Sequence, residues 1–442
     1  MLGVSAAGPT GVEAAHGRPE SVERPGAPRR DEPGPAWGMS AAERAAWAVL
    51  AAVDGLGPVG FNALLRQHGS GASILAEAAA PGGLCRLAVT PTSEPLPGGL
   101  PRLLGPIVAA AIVAATERMA GTLDRIEALG LRVVTTADLT YPRRLAAIDM
   151  PPHVLFVLGD PVALEARSAV AVVGTRQATD AGRALAARLA ATLVSVGSTV
   201  VSGLATGIDG AAHSATLHAG GTTVAVIGSG HAALFPRAHR GLADRIVASG
   251  GAVVSELAPD VRPTRGTFPR RNRVISGLAD ATVVVEAPAR SGALITASWA
   301  LEQGRECFIV PGSVDSRASA GCLAFLREFA GSARIVAGIP QLIDDLGLAD
   351  HLAEPGVSSD AAAVLVEVSQ AAGRIGRELV LGRATVDELV AATGWPVAGV
   401  LAALTLLERH GLALGVHGRF RPAGALAAAD PASLRSWSSA HV

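Results

Sequence analysis

Between residues 121 and 346 the chain repeats one pattern: short apolar, β-branched runs alternate with longer segments of helical period. The runs Arg132–Thr135, Ala169–Val173, Thr199–Val201, Thr223–Ile227, Ala252–Val254, Ala281–Val285 and Cys307–Val310 predict strands. They are short and continuous, as strands covered on both faces are. Helices are predicted near Ala181–Val196, Gly210–Ala219, Leu242–Ala248, Ile295–Gln303 and Cys322–Phe329. Strand and helix in alternation predict an α/β fold, a doubly wound Rossmann-like parallel sheet.

The flanks follow other patterns. Residues 1–38 are rich in Pro, Gly, Arg and Glu without hydrophobic period, which predicts disorder. Met39 follows as a candidate start of translation, and Ser40-Ala-Ala-Glu43 is a capping box opening an apolar helix. Residues 39–120 predict a helical module: a helix over Ala41–Val53, the turn Gly55-Leu56-Gly57, a helix around Phe61–His68, and a Pro/Gly-rich loop over 81–101. The glycine turn resembles that of helix-hairpin-helix or sterile-alpha-motif units, whose backbone N–H groups meet DNA phosphates; a purely structural turn is the alternative. Residues 347–359 predict a polar linker. From 360 to 422 come helices over Asp360–Ser369, from the capping box Thr385-Val-Asp-Glu388, and over Pro396–His410, then two strands within Leu412–Phe420. That order resembles a winged helix, and 423–442 are expected to form a tail. Val397–Leu407 offers no Arg, Lys, Asn or Gln to read bases. A protein-contact or regulatory role is expected, with Arg419 and Arg421 the only phosphate candidates of the wing.

Composition removes several functions. Formal net charge is −1 over 442 residues, and all 37 basic residues are arginine. The molecule as a whole exerts no long-range pull on nucleic acid. Without lysine there is no Walker-type phosphate loop, Schiff base or pyridoxal site. Cys85, Cys307 and Cys322 form no CxxC pair, and the eleven histidines show no HExxH spacing. No metal, cofactor or disulfide framework is expected. The longest apolar run, Leu103 to Ala115, falls short of the about 20 residues that cross a bilayer, and no secretory leader is recognised. A cytoplasmic protein without membrane association is expected.

Against this neutral background, residues 262–273 hold five arginines and no acidic residue. A guanidinium grips a phosphate with two parallel hydrogen bonds, so the run predicts a local anion site, with a solvated loop as the alternative. The strand ends support the site, because ligands of open parallel sheets gather at the carboxyl edge. There the chain reads Gly174-Thr175-Arg176, then Ser202-Gly203 on to Asp209 and His213, then Gly228-Ser229-Gly230. Ser255-Glu256, Glu286 with Ser291-Gly292 and Thr296, and Pro311-Gly312-Ser313 follow. Small residues at helix starts let backbone N–H groups approach an anion. The dinucleotide fingerprint is missing: Arg176 and Ala233 stand where glycines are needed.

The set Gly174-Thr-Arg176, Ser202-Gly-Leu-Ala-x-Gly-Ile-Asp209 with His213, Phe268-Pro-x-Arg-Asn-Arg273, and Ser291-Gly-x-Leu-Ile-Thr296 with Pro311-Gly312 resembles the DprA/Smf family of DNA-processing proteins. Tyr141-Pro142, Leu145, Pro151 and Gly159 fit the same family, and the resemblance covers about residues 40–420. It implies a cytoplasmic, non-enzymatic protein that binds single-stranded DNA and dimerises through the Rossmann-like domain. It also implies handing that DNA to the recombinase RecA during natural transformation. Three places depart from the pattern. Phe235-Pro236 stands for Tyr-Pro, Leu323 for an asparagine and Phe329 for a glycine, which puts residues 313–330 in doubt as a contact region.

Single strands are held by a positive groove with aromatic stacking. Arg176, Arg271 and Arg273 are expected to supply the charge, with Arg237 a weaker candidate. Ser202, Gly203, Ser291, Gly292 and Thr296 are expected as small donors, and Asn272 as an amide to phosphate or base. Phe268 is either a stacking ring or packing beneath the arginine loop. Asp209 and His213 predict a capping Asp with a histidine partner, an acid–base pair being the alternative. Glu256 and Glu286 are expected to orient the arginines. The rival class is a nucleotide-processing enzyme. Related nucleotide-cleaving folds place a glutamate three residues after the loop threonine, where Thr296 is followed by Trp299. A nucleotide sensor is the third reading.

Overall fold

The computed structural model describes residues 39–93, 100–348, 370–409, 412–416 and 418–427. The expected disorder of 1–38, most of the linker 347–359, the helix Asp360–Ser369 and most of the tail lie outside these residues.

Nine strands form one sheet: β1 (Arg132–Thr135), β2 (Val154–Gly159), β3 (Ala169–Val173), β4 (Thr199–Ser202), β5 (Thr223–Val226), β6 (Ala252–Ser255), β7 (Ala281–Val284), β8 (Glu306–Ile309) and β9 (Arg334–Ile335). Their order is β1-β2-β6-β5-β4-β3-β7-β8-β9. β3 to β9 are mutually parallel; β1 and β2 add an antiparallel edge beside β6. All seven strands predicted from the sequence are present, with ends shifted by at most one residue. Their logic is visible in β3, Ala-Val-Ala-Val-Val, where all five residues are buried. The strands missing from the sequence reading are β2 and β9. β2 owes its place to antiparallel pairing with β6, and β9 is two exposed residues without a period.

Fourteen helices precede the C-terminal segment: α1 (Ala41–Ala51), α2 (Pro58–His68), α3 (Gly71–Ala79), α4 (Gly83–Ala88), α5 (Pro106–Glu117), α6 (Met119–Ala128), α7 (Arg143–Ala146), α8 (Asp180–Ser195), α9 (Ile208–His218), α10 (Arg240–Ala248), α11 (Thr267–Gly277), α12 (Gly292–Glu302), α13 (Ala320–Glu328) and α14 (Ile339–Asp345). α1 to α6 share a core with β1 and β2. α4 corrects the loop expected over 81–101, because Leu87 is fully buried and anchors a turn of helix. The two faces of the parallel sheet carry separate cores, one built with α11 and α12, the other with α8, α9 and α14.

The larger correction is α11. No helix is predicted over the arginine run from the sequence, yet 267–277 is helical, and residues 271–279 are buried. α11 belongs to the crossover from β6 to β7, on opposite sides of β5, β4 and β3 in the sheet. Pro269 falls in its first turn, where a missing N–H breaks no helical hydrogen bond.

The C-terminal part holds helices Gln370–Val380, Val386–Thr393 and Val397–Arg409, followed by an antiparallel pair, Ala413–Val416 and Arg419–Pro422. The capping box of Thr385 and Glu388 closes with both of its hydrogen bonds. Arg419 and Arg421 are half-buried and lie against the protein. Nη1 of Arg421 donates to the Leu346 carbonyl at 2.8 Å, at the end of α14. The aliphatic stem of Arg419 covers Gly304. The assignment of Arg421 as a phosphate contact is therefore withdrawn. Among the described residues, no single helix is long and apolar enough to cross a membrane.

Candidate nucleic-acid interface

The carboxyl ends of β3, β4, β5 and β7 meet α11 at one edge. Chain order reverses at β3, between β4 and β7, the place where open α/β sheets form a crevice. The loops after β3 and β7 are joined there by a hydrogen bond from Thr175 N–H to the Glu286 carbonyl at 2.7 Å.

α11 brings three polar side chains to this edge and buries all of them. Arg271 is 5% exposed. Its Nη1 donates to the Gly203 carbonyl at 2.8 Å and also to the Val226 carbonyl. It thus ties the ends of β4 and β5 together. Asp209 reaches Gly203 from the other side, accepting from its N–H at 3.2 Å. A Cβ on residue 203 would lie 2.6 Å from Arg271 Nη1 and 2.7 Å from Asp209 Oδ2, so a side chain there would displace one of the two. Burial pushes the Asp209 carboxyl above the usual carboxylate range, against the pull of Arg271 and of backbone N–H groups. Burial likewise lowers Arg271 to about 10, which leaves it charged at neutral pH.

Asn272 donates from Nδ2 to the Gly292 carbonyl at 2.9 Å and fastens α11 to the start of α12. Nη2 of Arg273 donates to Glu256 Oε2 at 2.5 Å. These contacts correct the roles expected for Arg271, Asn272 and Arg273: they brace the edge and do not face solvent. A guanidinium inside a protein requires such partners, because an unpaired buried charge is costly.

Other expected donors are internal as well. Ser202 Oγ donates to the Val172 carbonyl at 2.6 Å, and Thr296 is buried in α12. Ser291 caps α12, accepting from Ala293 N–H at 3.3 Å, while Gly292 is exposed. Glu286 does not orient an arginine. Its carboxylate accepts from Thr179 N–H at 2.8 Å and from Thr179 Oγ1 at 2.9 Å, at the start of α8. Glu256 does hold arginines: Arg273, and Arg270 at 3.6 Å. His213 pairs not with Asp209 but with Thr223, Nδ1 to Oγ1 at 2.7 Å.

What remains open on this edge is a set of arginines and two rings. Arg176 is exposed, and its guanidinium carbon sits 4.9 Å above the Phe268 ring. Phe268 rests on Gly228, where a Cβ would come within 2.8 Å of the ring, and touches Phe235 at a centroid distance of 5.8 Å. Arg237, Arg240, Arg262, Arg265 and Arg270 are all exposed. Arg270 extends toward the glycine turn of the N-terminal module, 3.8 Å from where Gly57 would carry a Cβ. Sequence reasoning missed Arg262, Arg265 and Arg270 because it chose within the run by motif. Exposure changes along α11, from an open first turn to a buried stretch after Arg270, and no sequence period marks that step. Of the departures, Phe329 stacks on Phe325 at 4.4 Å and Leu323 is half-buried, so both belong to packing.

A family model described as DNA recombination-mediator protein A matches residues 132–347. A DNA processing protein DprA of Mycobacterium tuberculosis is 40% identical, over 69% of this chain and 80% of that protein. Protein Smf of Escherichia coli is 37% identical, over 63% of this chain and 74% of its own. Among solved structures, DNA processing protein A of Streptococcus pneumoniae matches with a TM-score of 0.55 and 28% identity, covering 70% of this chain and 98% of that one. With this fold, these strand-end motifs and these relatives, the chain belongs to the DprA/Smf family of DNA-processing proteins.

Proposed function

We propose that the protein binds single-stranded DNA along the carboxyl edge of its sheet and acts there without catalysis. In this reading it is a cytoplasmic homodimer that protects incoming strands and loads RecA on them. The observation that carries the DNA reading is the exposed group of Arg176, Arg237, Arg262, Arg265 and Arg270 beside Phe268 and Phe235. A chain of net charge −1 has concentrated exposed guanidinium groups and aromatic rings on one edge. That pairing suits a polynucleotide, whose phosphates need cations and whose unpaired bases need π-faces. Family membership supports the RecA and dimer parts.

A nucleotide-cleaving enzyme would need a free carboxylate at this edge. Glu286 is engaged by Thr179, Glu256 by Arg273 and Asp209 by backbone N–H groups. The C-terminal helices and hairpin are read as a winged helix with a protein-contact role.

Anisotropy titrations with labelled oligo-dT, a duplex of equal length and a mononucleotide test this reading at several salt concentrations. Tighter binding of the single strand, weakening steeply with salt, is the expected result. Equal affinity for the mononucleotide, or release of ribose from it, would replace the reading by the enzymatic one.

A further inference from the structure

Phe235 stands on the basic edge and is 43% exposed, the only exposed Phe, Tyr or Trp among the described residues. Aromatic residues are 3% of the chain, and the other described ones are at least partly covered. Its backbone is well anchored. Leu234 before it is buried in a core with Leu242 and Ile246. The short helix Arg237–His239 follows, and His239 Nδ1 pairs with the Leu204 carbonyl at 2.9 Å. The backbone that carries the ring is therefore held on both sides of Phe235.

The neighbouring ring cannot offer the same surface. Phe268 lies on Gly228 and carries the Arg176 guanidinium above it. Phe268 meets Phe235 at an interplanar angle of 57°, so it supports Phe235 from the side. Exposed arginines flank Phe235 along its own segment, Arg237 and Arg240, and across the Phe268 contact, Arg176. A ring so placed is chemically matched to a nucleobase whose neighbouring phosphates lie among those arginines.

We propose that Phe235 is a base-stacking platform for the bound strand. The proposal rests on the reading that this edge binds single-stranded DNA, and it adds a contact to the base where the arginines contact only phosphate. Stacking on one ring changes affinity by about tenfold.

The test compares the full-length wild type with Phe235→Leu and Phe235→Trp. Each is titrated by anisotropy with oligo-dT and with an abasic strand of the same length. Melting curves confirm that the variants remain folded. Phe235→Leu is expected to bind oligo-dT about tenfold more weakly, to bind the abasic strand as the wild type does, and to be rescued by Phe235→Trp. If the wild type binds oligo-dT and Phe235→Leu weakens both strands alike, or neither, the stacking role is overturned while the DNA reading stands. A wild type that binds neither strand overturns both.

Discussion

Arg273 Nη2 lies 2.5 Å from Oε2 of Glu256, and the two side chains are 4% and 6% exposed. The same carboxylate faces the exposed Arg270 at 3.6 Å. One acid thus holds an internal arginine in place and steadies one that reaches solvent. Removing one member of a buried pair leaves an uncompensated charge, at a cost of about 3–5 kcal/mol. Glu256→Ala and Arg273→Ala are each expected to lose stability of that order in urea unfolding. The double variant should lose clearly less than the sum, since neither charge is then stranded. Additive losses would mean that the pair is not coupled.

The exposed arginines should behave in the opposite way. Arg176→Ala and Arg265→Ala are expected to leave stability within about 0.5 kcal/mol. Each should reduce the slope of log K against log salt by about 0.7 for single-stranded DNA. Arg271→Ala should unfold more easily because it strands Asp209 and frees the Gly203 and Val226 carbonyls. Variants of Arg176 and Arg265 with unchanged slopes would remove those residues from the DNA path.

This contrast marks how far the sequence was legible. Buried parallel strands announce themselves by composition, so β3 or β7 can be read from five residues. The carboxyl edge follows from topology, and its glycines, Arg176 and Arg237 could be picked out, while the exposed Arg262, Arg265 and Arg270 could not. What the residue types could not reveal is how deep along α11 each arginine lies. Arg270, Arg271 and Arg273 look alike in the chain, yet Arg270 is exposed, Arg271 bonds two backbone carbonyls inside the edge and Arg273 bonds the Glu256 carboxylate. The helical period does not separate them, because every residue from 271 to 279 is buried. Glu286 and Glu256 likewise occupy equivalent strand ends, and only the nearest partner, Thr179 or Arg273, distinguishes a cap from an ion pair.

Acid should weaken the fold through its buried histidines. Burial pulls His213 down to about 3, helped by His239 and Arg271, and pulls His153 down to about 4. Both are neutral in the folded and unfolded chain well above the ordinary value of about 6.5. As pH falls through that value, the unfolded chain takes up protons that the folded one refuses. Stability then falls by about 1.4 kcal/mol per pH unit for each group. His153 stops contributing near pH 4 and His213 near pH 3. Asp209, whose folded carboxyl is raised, works in the opposite sense and offsets part of the loss. Urea midpoints should therefore drop between pH 6.5 and 4.5. His153→Phe, which keeps a ring against Phe61 at the stacking distance of 4.7 Å, should make the drop shallower by one group's slope. A pH-independent midpoint over that range would contradict the assignment.

Arg421 donates to the Leu346 carbonyl at 2.8 Å, at the C-terminal end of α14, where a cation is favoured by the helix dipole. Among the described residues, the C-terminal helices and hairpin also meet the Rossmann-like domain at Gly304 beneath Arg419 and at Arg143 beside Gly382. Gly304 and Arg305 immediately precede β8, and Arg144, next to Arg143, bonds Asp280, which immediately precedes β7. These contacts lie at the amino edge of the sheet, a strand length away from Arg176 and Phe268. The module can therefore meet a partner without covering the proposed DNA path. Replacing Arg419 and Arg421 together by alanine is expected to speed amide exchange across 386–409 and 418–422 by about tenfold, for a loss of about 1.4 kcal/mol in docking. Affinity for oligo-dT should stay within about twofold, because no exposed arginine of the carboxyl edge is touched. Loosening accompanied by a large fall in DNA affinity would place the hairpin on the strand's path and end its separation from the carboxyl edge.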